Sequence, residues 1–167
     1  MSNEILQALT HMTWADGAVW REVLELPAAE DDGRIAELLY HVHTVQAAYL
    51  QLLEGGELEI PELSSFGSRR SLMTWGMESQ SGLLNVAERL GPTELERELA
   101  VPWAHHLVAA HGEVRQADVR QSLLQVAFHS TYHRGQINTR IRELGGEPPL
   151  VDFIAWVWRG QPEAAWP

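Results

Sequence analysis

The residues of this chain best spaced for chemistry are two histidines four apart, in His129-Ser130-Thr131-Tyr132-His133. On a helix, residues four apart lie one above the other, so both imidazoles can face one ion. Each can bind it through a ring nitrogen at about 2.0–2.1 Å. The chain has eight histidines: His11, His41, His43, His105, His106, His111, His129 and His133. With so many, the spacing alone is weak evidence, because such pairs also arise by chance. A single histidine at the edge of a core is more often a hydrogen-bonded structural residue than a ligand.

A third ligand must come from another segment. His41 and His43 are two apart and point to different faces of a helix. His41 falls about 80° and His43 about 120° from the centre of that segment's apolar stripe. His41 is therefore the better inward candidate, and His43 remains the alternative. His11 could face the core and add a further contact. His105, His106 and His111 fall in a loop-like stretch and could form a separate surface site.

Composition narrows the options. The chain has no cysteine, which excludes disulfides, thiolate metal sites and a protein-borne thiol nucleophile. Any metal must be held by nitrogen and oxygen. The twelve basic residues are all arginine, so lysine Schiff-base chemistry and a phosphate-loop lysine are excluded. A formal charge of -11 repels nucleic acid, and none is expected as a partner. Other signatures are missing: no Glu-x-x-His pair, no His-Glu-x-x-His, no Gly-x-Ser-x-Gly and no glycine-rich phosphate loop. The opening MSNEILQALTHM has neither a basic stretch nor a long apolar run, so no signal peptide is expected. No window approaches a membrane span. The expected location is the cytoplasm.

Four segments with helical periodicity must position the histidines. The first runs over 3–25, with Ile5, Leu9, Met12, Val19 and Val23 in phase. The second runs over 32–54 on Ile35, Leu38, Val42, Val45, Tyr49 and Leu52, and stops at Gly55-Gly56. The third covers 67–90 and stops at Gly91-Pro92. The fourth covers 116–144, with Asp118 near its start and Gly145-Gly146 at its end. Between the third and fourth, 95–114 reads as a short hairpin or irregular loop, since Pro102 and Gly112 oppose a helix. The apolar segment 152–158 is expected to pack back on the bundle. The expectation is one all-α domain over 1–167, a four-helix bundle with a long connection between helices 3 and 4.

Several of these residues together carry a resemblance. His129-Ser-Thr-Tyr-His133-Arg134-Gly135-Gln136-Ile137, then Arg142-Glu-Leu-Gly145, then Pro148-Pro149 and Asp152-Phe153, resemble the C-terminal signature of the DinB/YfiT-like family. His11-Met-Thr-Trp-Ala-Asp-Gly17 resembles that family's opening helix. Leu39-Tyr40-His41-Val42, with Tyr49-Leu50 further on, resembles its second-helix ligand segment. The resemblance implies a four-helix bundle with a divalent metal, commonly zinc or nickel, on three histidines that map to His41, His129 and His133. It also implies a homodimer. Characterised members of the family include metal-dependent transferases of low-molecular-weight thiols and thiol-dependent isomerases.

Three neutral imidazoles leave room on a metal for water or substrate, the ligand count of a catalytic site. Such an ion lowers the pKa of a bound water or of an incoming thiol. Without cysteine, the thiol must be a small-molecule cosubstrate acting on an electrophilic substrate. Metal-dependent hydrolysis and a non-catalytic metal-binding role in stress response are the alternatives. Beside the histidines, Arg134 reads as a packing or ion-pair residue before an anion clamp. Gln136 could hydrogen-bond a ligand's second ring nitrogen, though a solvent or interhelix contact is the commoner role. Gly135 is expected to permit close helix approach. Tryptophans such as Trp75, Trp103, Trp156 and Trp158 read chiefly as core, and some could wall a pocket by the metal.

Overall fold

The computed structural model describes residues 3–108 and 112–167. Four long helices dominate: α1 (Asn3–Glu25), α2 (Gly33–Glu54), α3 (Arg69–Arg89) and α5 (Val119–Glu143). A single turn, α4 (Pro92–Leu95), follows α3, and α6 (Phe153–Trp158) follows α5.

Local chemistry sets the ends. Asp32, Ser68 and Asp118 stand just before α2, α3 and α5, and their side chains accept the N–H groups of Ile35, Ser71 and Gln121. Each bond satisfies a backbone donor that has no partner within the helix. Ser71 and Gln121 return the bond to the capping residue's own N–H. Gly55 closes α2 at φ 75°, a left-handed state that a Cβ disfavours.

The unclear stretch before α5 forms a minimal hairpin. Strands β1 (Glu98–Leu99) and β2 (Ala117–Asp118) pair antiparallel, with a 3-10 turn at Pro102–Leu107 between them. The Val119 N–H then donates to the Arg97 carbonyl at 2.9 Å, which ties the start of α5 to the residue just before β1.

In the bundle, α2 packs on α3 and α5, and α1 packs on α5 and α3. Helices α1 and α2 thus face each other across the diagonal. One apolar cluster centres on Leu9, Met12, Leu83, Leu123 and Val126. A second centres on Trp20, Ile35, Leu72, Ile137 and Ile141. The C-terminal segment returns along α1. Trp156 packs with Trp14 and Ala15, and Arg21 donates to the Ala165 carbonyl at 2.7 Å.

Between the two clusters lies a buried polar network to which all four long helices contribute. Asp16 of α1 accepts from Arg134 of α5, from Gln46 of α2 at 3.0 Å and from Gln80 of α3 at 2.7 Å. Gln46 also donates to Ser130 at 2.9 Å. Trp20 Nε1–H donates to His43 Nε2 at 2.8 Å, and His43 Nδ1–H donates to Gln46 Oε1 at 2.7 Å. These bonds fix His43 as a neutral ring protonated on Nδ1. Burial holds its pKa below the ordinary value.

His43 is 1% exposed, whereas His41 is exposed. The expectation that His41 is the inward member of the pair is therefore corrected. An apolar stripe locates the hydrophobic part of a core, and His43 with Gln46 occupies the polar part beside it.

The space for His43 comes from α3. A Cβ at Gly76 would lie 2.4 Å from the His43 ring. Gly76→Ala is expected to cost about 3 kcal/mol through overpacking and displacement of the ring. In a chain of this size that lowers the melting temperature by roughly 6–12 °C. A melting curve that superimposes on the wild-type curve would refute this contact.

Candidate metal centre

Two helices supply the centre. His41 projects from α2 toward α5, where His129 and His133 lie one turn apart. The ring centroids are 4.9 Å apart for His41 and His129, 4.5 Å for His41 and His133, and 4.4 Å for His129 and His133. His41 Nε2 and His129 Nε2 approach to 3.1 Å. One potential ligand nitrogen from each ring falls in a group whose members all lie within 4.8 Å of one another.

This arrangement fits a divalent ion. Bonds of about 2.0–2.1 Å at a tetrahedral angle set ligand nitrogens about 3.3 Å apart. The His41–His129 separation is close to that value, and His133 brings a ring nitrogen within 4.8 Å of both. His133 Nδ1–H donates to Gln136 Oε1 at 3.0 Å. That bond fixes the tautomer, orients the ring and leaves Nε2 with its lone pair. Gln136 therefore does hydrogen-bond the second ring nitrogen of a candidate ligand. His129 Nδ1 is buried with no hydrogen-bond partner among the described residues.

The electrostatics also favour neutral rings. Burial, followed by the like charges of His133 and His41, pushes His129 down to about 4. Burial, followed by His133, lowers His41 as well. Both shifts favour the neutral rings of His129 and His41, whose lone pairs are then available to a cation.

A salt bridge fixes the two helices beside the cluster. Asp32, which caps α2, accepts from Arg140 of α5 at 2.6 Å, and this bond holds its carboxyl below the usual range. Arg140 also pairs with Glu143 at 2.9 Å. A groove of about 210 Å³ runs alongside, lined by Arg34, Leu38, Gln136, Thr139, Arg140 and Glu143. The Tyr132 ring lies edge-on to His133 at 5.0 Å and is 67% exposed.

The other candidates lie outside the cluster. His11 does not join it and bonds the Val151 carbonyl through Nε2 at 2.9 Å. Arg134 is buried against Asp16, in the ion-pair role expected of it before that of an anion clamp. Gly135 does not serve close helix packing, since a Cβ there would meet nothing within 4 Å. His105 and His106 lie together on the surface with ring centroids 4.0 Å apart, and His111 falls outside the described residues. Sequence reasoning missed Asp16, Gln46 and Gln80. Their signal was polar residues at core-facing positions of three different helices.

The characteristic sequence of the DinB family matches residues 1–164. The chain belongs to the DinB family. No curated protein matches it. This DinB-family protein has three histidines that could hold a metal ion, on two neighbouring helices of an all-α bundle. Among its described residues, no helix is long and apolar enough to cross a membrane.

The lowered histidines set a pH dependence. The unfolded chain protonates His129 near 6.5 and the folded chain near 4, so the unfolded state binds more protons between those values. The metal-free protein should be fully stable above about pH 6.5 and lose stability progressively as pH falls toward 4. Denaturant midpoints measured from pH 8 to 4 test this. Because His11, His41 and His43 are lowered as well, the test is the difference between proteins, and a wild-type profile that superimposes on that of His129→Gln would rule out a contribution from His129.

Proposed function

We propose that this DinB-family protein is a metal-dependent transferase that uses a low-molecular-weight thiol as cosubstrate. His41, His129 and His133 are its metal ligands, and zinc or nickel is the ion. The observation carrying this reading is the geometry of the three rings. Their nitrogens lie within 4.8 Å of one another, and His41 is exposed, which puts the cluster within reach of small molecules.

A divalent ion on three neutral imidazoles supplies Lewis acidity, which favours the thiolate form of a coordinated thiol. The chain's own residues do the rest. Gln136 holds the His133 ring in its metal-binding tautomer. The Asp32–Arg140 bridge keeps α2 and α5 in register so that the rings meet. The groove past Gln136 and Thr139 can seat the electrophile beside the centre. In the transfer, the thiol S–H bond is broken and its proton passes to solvent. The sulfur then forms a bond to an electrophilic carbon, whose leaving group departs with the bonding pair. With no cysteine in the chain, the sulfur must arrive from solution.

A non-catalytic role in metal binding or stress response is the second reading. An ion that only tied α2 to α5 would duplicate work already done by the Asp32–Arg140 bridge and the buried network, so the structure gives that role little to do. We further propose that the chain is one domain, acts in the cytoplasm and forms a homodimer.

Two measurements test the assignment. Zinc or nickel content of purified protein should be about one per chain. It should fall to background in His133→Ala with helix content retained, and stay near one in His43→Ala, although that variant is less stable. Unchanged metal in His133→Ala, or lost metal in a folded His43→Ala, would overturn the ligand set. Zinc-loaded protein should also accelerate conjugation of cysteine, glutathione or 2-mercaptoethanol to 1-chloro-2,4-dinitrobenzene over the His133→Ala background. If no thiol gives a rate above that background, the transferase reading fails.

A further inference from the structure

Helix α5 has a second working face. The metal centre occupies one side, and the side opposite forms the floor of a separate cavity of about 510 Å³. Thr131, Gly135, Asn138 and Arg142 recur there at helical spacing, about half a turn round from His129 and His133. The opposing walls are His11 of α1 and the returning segment Pro148–Phe153. The volume is within the range of small-molecule sites.

Three observations mark this cavity as a binding site. The first is Gly135. A glycine in the middle of a helix costs about 1 kcal/mol relative to alanine. Here no packing contact requires it, because a Cβ would meet nothing within 4 Å. Its only structural effect is to leave the cavity floor open.

The second is unused polar capacity. Asn138 lines the cavity, its Oδ1 is buried, and its Nδ2–H, the group able to donate to an acceptor in the cavity, makes no hydrogen bond among the described residues. Arg142, one turn further on, makes no ion pair among those residues. By contrast, Arg134 is already neutralised by Asp16.

The third is the apolar rim. Phe128 is 65% exposed, and Leu150 and Phe153 are exposed beside it. The Phe153 ring also packs edge-on against His11 at 5.3 Å.

The charges give the cavity a direction. Asp152 acts on His11, as does Arg134, so both lie near the His11 end. Arg142 is eight residues beyond Arg134 along α5, about 12 Å away. An anionic head is repelled by Asp152 and attracted by Arg142, while Phe128 and Phe153 offer apolar contact toward the other end.

We propose that this cavity binds an aryl-alkyl or medium-chain carboxylate. Its carboxylate accepts from the Arg142 guanidinium and the Asn138 Nδ2–H, and its hydrocarbon runs past Gly135 in the direction of the Phe128 and Phe153 end. The proposal does not depend on the metal reading, since the thickness of α5 separates the two sites.

The test uses 4-phenylbutyrate and its neutral amide, titrated by calorimetry into zinc-loaded protein and into His133→Ala. One saturable site per chain is expected for the carboxylate in both proteins, with the amide about tenfold weaker. Arg142→Gln should reduce carboxylate affinity about tenfold and leave the amide unchanged. Gly135→Leu should fold, because its side chain enters open space, and should abolish binding. Gly135→Ala gives a second, less intrusive block that also favours the helix. Equal affinity for acid and amide, binding undisturbed in Gly135→Leu, or no saturable binding would each overturn the proposal. So would a dimer in sedimentation that Phe128→Glu and Phe153→Glu dissociate and 4-phenylbutyrate does not, since a second copy would then be the occupant.

Discussion

The carboxylate of Asp16, buried where four helices meet, is the constraint on which the rest of the structure depends. A buried charge left alone carries a desolvation penalty of several kcal/mol, so its surroundings must supply partners from fixed directions. Here they come from α2, α3 and α5 through Gln46, Gln80 and Arg134. Apolar packing tolerates small slides and rotations of a helix, whereas this set of bonds does not. Ser130 and Arg134, the two α5 members, interleave with His129 and His133 along the same helix. Fixing the rotation of α5 about its axis for the network also fixes where the two imidazoles point. The network thus sets the register of the metal centre without touching it.

The long helices were legible because each carries several turns of apolar periodicity between strong stops. Gly55-Gly56, Gly91-Pro92 and Gly145-Gly146 end α2, α3 and α5 within a residue or two of where a sequence reading places them. The expected starts ran early where the capping residue was counted as helix. The hairpin at 98–118 was only half legible, since its strands are two residues each and carry no alternation worth the name.

The site was legible in part. His129 and His133 are marked by spacing on one helix. Of His41 and His43, His41 is the one placed beside His129 and His133, but not because it is the more inward of the two. A helical wheel assumes that inward means apolar, and here the inward histidine is the structural one, locked by Trp20 and Gln46. The ligand candidate lies on the flank, where α2 meets α5. Gly135 failed in a related way, because a glycine in a helix suggests a neighbouring backbone, and the neighbour here is a cavity. Pairwise facts of this kind depend on which helices are adjacent, and no single segment encodes that.

Charge connects the parts. A chain with net charge -11 draws cations toward its surface and discourages anions. A cluster of three imidazoles adds no negative charge of its own, so the binding of any ion there would rest on lone-pair geometry and softness and would disfavour calcium and magnesium. An anion can bind such a protein only where local guanidinium outweighs the global field. Of the arginines on α5, Arg134 is committed to Asp16, and Arg140 to Asp32 and Glu143. Arg142 makes no ion pair among the described residues, and it stands on the face turned away from the histidines. Helix α5 therefore divides its circumference by chemistry, with apolar and hydrogen-bonding residues toward the core, lone-pair donors toward α2, and an uncommitted cation on the outer side. A single helix can present all three because the Asp16 network prevents it from turning.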